Sequence, residues 1–202
     1  MKLYYMPGVC SQAVHIALNE VGADFELERV DGTSKKTASG GNFLDVNPLG
    51  YVPALELDDG TLLLEAPAIL QYLADLHPDS GLAPAAGTLE RVRLQADLNF
   101  VASELHKSFG PFFAPVKPEG ALKDQALDKL KKRFDALDAR LADGRAFLTG
   151  DVFTVADAYA FVVISWAAII ELDLSPWPHV LAYADRVRQR PNVQATLSRE
   201  AA

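Results

Sequence analysis

"YYMPGVCSQAVHIAL", residues 4 to 18, runs from an apolar, strand-like stretch through Pro7-Gly8 into a helical pattern. Pro-Gly is turn punctuation. Beyond it, apolar residues recur at Val14, Ala17, Leu18 and Val21, the spacing of one helix face. Gly22 stands where such a helix closes, since glycine adopts the left-handed cap at no steric cost. The reading is a strand over residues 2–6 and a helix over 11–21. Cys10, the single cysteine of the chain, falls between them at the helix N-terminus. Unpaired N–H groups and the helix dipole there are expected to lower a thiol pKa. A lone cysteine is more often a small buried hydrophobe, so the surroundings must argue for chemistry.

Working outward, "FELERV" (25–30) reads as a second strand, followed by a polar, Gly-rich stretch (31–41) and a short helical piece near Phe43. "VPALEL" (52–57) and "LLLE" (62–65) flank Asp59-Gly60, a hairpin turn, and "APAILQYLADLH" (66–77) has one apolar helix face. The order β-α-β-α-β-β-α predicts a parallel first pair and an antiparallel hairpin. "PDSGLAPAAG" (78–87) has no period and reads as a linker. Everything beyond is helical: a long amphipathic helix from 88 to about 113, another over 121–142, and the most apolar helix, opened by a Thr154/Asp157 capping box. Pro178 and Pro191 suit the first turns of two final helices. The chain thus divides into an α/β unit (1–77), a linker (78–87) and an all-helical unit (88–202).

The chain has 202 residues, half of them apolar, with a formal charge of −8. Such a chain can bury a sizeable core, and its acidity argues against nucleic acid as a partner. One cysteine excludes an intrachain disulfide. The N-terminus lacks a long apolar run, and the stretch Ala158 to Ile170 is too short to span a bilayer, so a cytoplasmic protein is expected. Its four histidines (15, 77, 106 and 179) have no ligand spacing, and "GTSKKT" (32–37) lacks the order of a phosphate-binding loop, so neither metal nor nucleotide chemistry is expected.

The position three residues after Cys10 is Ala13, which rules out an internal dithiol cycle. Any redox or conjugation chemistry at Cys10 then needs an exogenous thiol. Val52-Pro53, before the third strand, reads equally as a cis bond that frees the Val52 N–H and C=O for an extended peptide, or as a proline at a strand start. Glu65-Ala66 offers a carboxylate for an ammonium and a helix-start N–H for a carboxylate. Gln95, Asn99, Ser103 and His106 follow helical spacing and form a polar stripe beside a core stripe of Leu98, Val101, Ala102, Leu105 and Phe109, as if lining a wet cleft. His106 is its titratable member near neutral pH.

Together, "YYMPGVCSQAVHIAL", "NPLGYVPAL", "DDGTLLLEAPAILQYLAD", "NFVASELHKSF" and "FTVADAY" resemble the bacterial beta-class glutathione S-transferases over nearly the whole chain, most closely those of aromatic-degradation pathways. The resemblance implies a thioredoxin-like N-terminal domain, an all-α C-terminal domain, a homodimer, and glutathione as cosubstrate with no metal. It also implies site roles. Cys10 and His106 would be catalytic; Lys35, Val52 beside cis-Pro53, Glu65, Ala66, Asn99, Ser103 and Glu104 would bind glutathione, some of them across a subunit boundary. Tyr5, Lys107, Phe109 and Phe113 would form the electrophile pocket. Ala66 stands where the family often has Ser or Gly, which removes one hydroxyl contact. Ser11 and Tyr5 are alternative donors to the glutathione sulfur. The activity so implied is conjugation of glutathione to small hydrophobic electrophiles, thiol-disulfide exchange or reductive removal of halide. A non-catalytic ligand-binding protein on the same fold is the alternative.

Overall fold

The computed structural model describes residues 1–201. Four short strands, β1 (Lys2–Tyr5), β2 (Glu26–Arg29), β3 (Ala54–Glu56) and β4 (Leu62–Leu64), form one sheet in the order β2-β1-β3-β4. β1 and β2 are parallel, joined through helix α1 (Ser11–Glu20); β1–β3 and β3–β4 are antiparallel. The parallel first pair and the antiparallel hairpin are as expected, with each strand trimmed at its ends, and the β1–β3 pairing that joins them is set by the tertiary structure. Alternation along β1 sends Leu3 and Tyr5 into the main core, while Tyr4 joins Val30, Phe43, Val52 and Ala54 on the other face, beneath the short helix α2 (Phe43–Val46).

Helix α1 ends at Glu20, and Gly22 takes the left-handed conformation, φ +65°. All residues from Ser11 to Leu18 are buried, more than a single apolar stripe predicts. The cause is tertiary. The sheet lies on one side, and α3 (Ala66–Leu76), α7 (Val155–Ile169) and α9 (Pro191–Ala201) pack around the rest. Glu200 of α9 partners two polar members of α1: His15 Nδ1 lies 2.9 Å from Glu200 Oε1, and Gln12 donates to Glu200 Oε2 at 2.8 Å, while His15 Nε2 stays buried without a partner.

The helical part contains α4 (Leu89–Asn99), α5 (His106–Phe113), α6 (Gly120–Leu141), α7, α8 (Pro178–Arg188) and α9. The region expected to be one regular helix to about residue 113 is continuous but not regular: Phe100–Leu105, between α4 and α5, is a π-helix. At the start of α7, the Thr154 N–H and hydroxyl both donate to Asp157 Oδ2 at 2.8 Å, and Asp157 Oδ1 accepts from Leu148 N–H and the Tyr183 hydroxyl. The buried carboxylate thus has four donors, which explains how the most apolar helix opens on a charge. Among the described residues, no helix is long and apolar enough to cross a membrane.

Candidate active site

A cleft of about 580 Å³ separates the sheet unit from the helices. One wall carries Cys10, Asn47, Val52, Pro53, Glu65 and Ala66; the other carries Ala102, Ser103, His106, Lys107 and Tyr159. A larger recess, about 1060 Å³, lies between residues 81–84 and the loop before α7. Two of its guanidiniums are engaged, Arg140 with Asp97 and Arg145 with Asp143, and the third, Arg93, is exposed beside Glu90.

Cys10 is the N-cap residue of α1 and is half-buried. Its thiol donates to the Val52 carbonyl at 3.1 Å. Contrary to the expected lowering, burial pushes the Cys10 pKa up to about 11; the N–H groups of Cys10 and Ser11, and Lys107 nearby, only partly offset desolvation. At neutral pH the sulfur therefore carries its proton and acts as a donor. The Val52–Pro53 bond is cis. The Val52 carbonyl, expected to be free, accepts this thiol instead, so an extended peptide pairing at Val52 must share or displace that bond.

The loop before Cys10 is held from three sides. The Ser11 hydroxyl donates to the Met6 carbonyl (3.0 Å) and accepts from the Met6 N–H (3.2 Å), so its only proton is engaged within the turn. Gly8, at φ +70°, gives its N–H to Glu200 (3.0 Å) and accepts from Trp166 Nε1 (2.8 Å) at its carbonyl. Tyr5 is buried in the core with its ring edge against His15. Neither Ser11 nor Tyr5 is brought to the cleft as a sulfur donor, because both complete the packing behind it.

Glu65 precedes α3 with φ +69°, a left-handed conformation that costs a non-glycine residue about 1–3 kcal/mol. Its side chain makes no cap bond to α3, so the carboxylate remains available to the cleft it lines, beside the Ala66 N–H; Pro67 has no N–H, and those of Ala68 and Ile69 bond the Glu65 carbonyl. Lys35, at φ +58°, donates from Nζ to the Gly50 carbonyl at 3.2 Å, which places it behind the rim next to Tyr51 rather than in the lining.

On the helical wall, burial and then Lys107 push the His106 pKa down to about 4, so the ring is neutral near pH 7. His106 Nδ1 lies 2.7 Å from the Tyr159 hydroxyl, and its ring meets Trp166 edge-on with centroids 4.7 Å apart. Burial, then Cys10 and Glu65, raise the Tyr159 pKa, which keeps the phenol protonated.

Besides Lys35 and Tyr5, whose burial in the core also takes it out of the expected electrophile pocket, four expected site residues lie elsewhere. Phe109 is fully buried, stacked on Phe113 and edge-on to Phe134 and Trp166, so it is core. Phe113 is half-exposed against Trp166 and does not line the cleft. Glu104 pairs with Arg133 on α6 at 2.6 Å. Asn99 is exposed and outside the lining, and Gln95 bonds Gln71. The cause is the π-helix: its i→i+5 turns are wider than the α period, so a stripe counted in α steps turns away from the cleft before residue 100. The apolar lining comes instead from Leu49, Tyr51, Leu64, Ala102 and Tyr159, which the sequence reading missed. Asn47 was missed too; it is buried, and its amide donates to the Tyr51 carbonyl (2.8 Å), closing the loop before Pro53. A polar residue beside Pro48 was the available signal for Asn47, whereas a tyrosine in an apolar helix reads simply as core.

Two family models match the chain: "Glutathione S-transferase, N-terminal domain" over residues 8–76 and "Glutathione S-transferase, C-terminal domain" over 100–191. Glutathione S-transferase GstA of Escherichia coli O157:H7 is 44% identical, with 99% of this chain and 98% of the relative covered. A sphingomonad glutathione S-transferase solved in complex with glutathione superposes with TM-score 0.95 at 49% identity, covering 100% of this chain and 99% of that one. A bacterial beta-class enzyme of Sphingomonas chungbukensis gives 0.94 at 48%, covering 99% and 98%. The fold and cleft define a glutathione transferase. The chain belongs to the glutathione S-transferase family, and bacterial beta-class members are among its structural relatives.

Proposed function

We propose that the chain binds glutathione across the sheet-side wall and conjugates it to small hydrophobic electrophiles, with Cys10 acting as a hydrogen-bond donor to the glutathione sulfur. The observation that carries this is the place of the Cys10 thiol in the cleft lining, 3.1 Å from the Val52 carbonyl, where a peptide pairing at Val52 displaces that bond and frees the S–H to donate to the glutathione sulfur. A donor lowers the energy of a glutathione thiolate; that thiolate attacks an electrophilic carbon, a C–S bond forms and the leaving group departs with its electron pair. Thiol exchange requires a Cys10 thiolate instead, which burial disfavours. Glu65 and the N-terminus of α3 hold the γ-glutamyl end and Val52 pairs with the peptide; Lys35, behind the rim, exchanges its bond to the Gly50 carbonyl for one to the glycyl carboxylate. Ser103, His106 and Lys107 close the helical wall over the electrophile.

The distinction is tested by substitution. Cys10→Ser, which keeps a donor, is expected to retain conjugation within about tenfold, while Cys10→Ala loses on the order of a hundredfold in kcat/KM. Equal losses in both variants, with rapid addition of one glutathione to the wild-type chain from oxidised glutathione, would assign thiol exchange instead.

The chain works as a homodimer in the cytoplasm. Exposed apolar side chains support this: Leu76 on α3 with Leu89 and Val92 on α4, and Leu49 and Tyr51 at the cleft rim. Asn99 and Glu104, outside this chain's own cleft, then serve the partner's glutathione. Sedimentation should give twice the chain mass, and Asn99→Ala should raise KM for glutathione about two- to fivefold without altering thermal stability.

A further inference from the structure

We propose that Tyr159 is a positioning residue for His106: its hydroxyl donates to Nδ1, holds the imidazole as the Nε2–H tautomer, and so makes His106 a hydrogen-bond donor toward the sulfur rather than a proton acceptor. The inference rests on the reading of the cleft as the glutathione site.

The geometry leaves little freedom. Tyr159 is buried, and its hydroxyl lies 2.7 Å from Nδ1. The ring plane is fixed by the edge contacts with Trp166, 81° between planes, and with Tyr159, 82°. Among the described residues, no other side chain or backbone group bonds this hydroxyl or either ring nitrogen. One bond must therefore satisfy both partners. If the phenol donates, its only proton is placed and Nδ1 is paired as an acceptor. If Nδ1–H donated, the phenolic proton would need a second acceptor, and no protein group supplies one. Nε2 is the ring nitrogen left toward the cleft that His106 lines, and it is not a buried, unpartnered atom. The ionisation states agree: the imidazole is neutral near pH 7 and the phenol retains its proton.

The placement follows from chain order. Tyr159 lies two residues after Asp157, the carboxylate that anchors the first turn of α7, and seven before Trp166 on the same helix. One buried helix therefore carries both groups that hold the His106 ring. Cys10 and Nε2–H would then converge as two donors on one sulfur, and the proton lost by the glutathione thiol passes to solvent, since His106 does not accept it.

The deciding experiment is a ¹⁵N–¹H correlation spectrum of histidine-labelled wild-type protein near pH 7.5, with the His106 signals assigned by their loss in His106→Gln. A protonated Nε2 and an unprotonated, hydrogen-bonded Nδ1 are expected. Tyr159→Phe should give a tautomer mixture and lower kcat about tenfold, with less than twofold change in KM for glutathione. Tyr159→Phe combined with His106→Ala should be no slower than His106→Ala alone. A wild-type Nδ1–H tautomer, an unchanged kcat in Tyr159→Phe, or multiplied losses in the double variant would each overturn the proposal. The wild-type spectrum needs neither a stable variant nor turnover, so it tests the Tyr159–His106 pair by itself. Full activity of His106→Ala would instead overturn the site reading beneath it.

Discussion

The two walls of the cleft differ in what builds them. The sheet-side wall is made of chain ends and turns: the β1–α1 turn at Cys10, the cis bond at Val52–Pro53, and the left-handed Glu65. Each is local, and each leaves a mark in the sequence, as Pro-Gly before Cys10, Val-Pro before a strand, and Glu at a strand-to-helix junction. The helical wall is made of side chains from two helices distant in sequence, Ser103, His106 and Lys107 on one and Tyr159 on the other, held by Trp166. Its geometry depends on a π-helix and on the crossing of helices, neither of which has a short-range signature. Backbone-built sites are legible from sequence; sites built by packing are legible only as composition.

Three measurements sharpen this contrast, in descending order of expected effect. Phe109→Ala removes a fully buried ring from the helical wall's foundation and should cost about 3–5 kcal/mol in urea unfolding. Were Phe109 an electrophile contact, the same change would shift KM for the electrophile and leave stability nearly intact.

The second concerns pH. His106 has a folded pKa of about 4 against an ordinary value of 6.5. Between these values the unfolded chain binds the proton and the folded chain does not, so stability falls as pH drops from about 6.5 to about 4. The contribution is on the order of 2 kcal/mol, read as the difference between unfolding free energies at pH 7 and pH 4.5. His106→Phe should flatten that segment of the profile; an unchanged slope would place the acid sensitivity elsewhere.

The smallest effect belongs to the sheet-side wall. Ser11→Ala removes two bonds to the Met6 backbone and should cost about 1–2 kcal/mol, with conjugation lost in proportion to the folded fraction. A larger loss of kcat at full folding would restore Ser11 as a sulfur donor.

Much of the architecture was readable in advance. The Pro7-Gly8 break, the apolar repeat to Val21 and the Asp59-Gly60 hairpin specified the order of elements, and with it the parallel first pair and the antiparallel second. The Thr154/Asp157 pair marked the start of α7 from composition alone. Side-chain destinations were less accessible. Phe109 and Glu104 sit on the same turns as His106 and differ from it only by rotation about a helix whose period changes partway along.

The sequence by itself determined where the backbone turns, because proline, glycine and capping residues act on their immediate neighbours through φ, ψ and single hydrogen bonds. It also determined that one thiol would stand at one helix N-terminus. The tertiary structure alone decided whether that thiol is ionised and which aromatic side chains reach the cleft. Desolvation of Cys10 and the Tyr159–His106 bond each sum contributions from segments far apart in the chain, and no local pattern encodes how those segments pack.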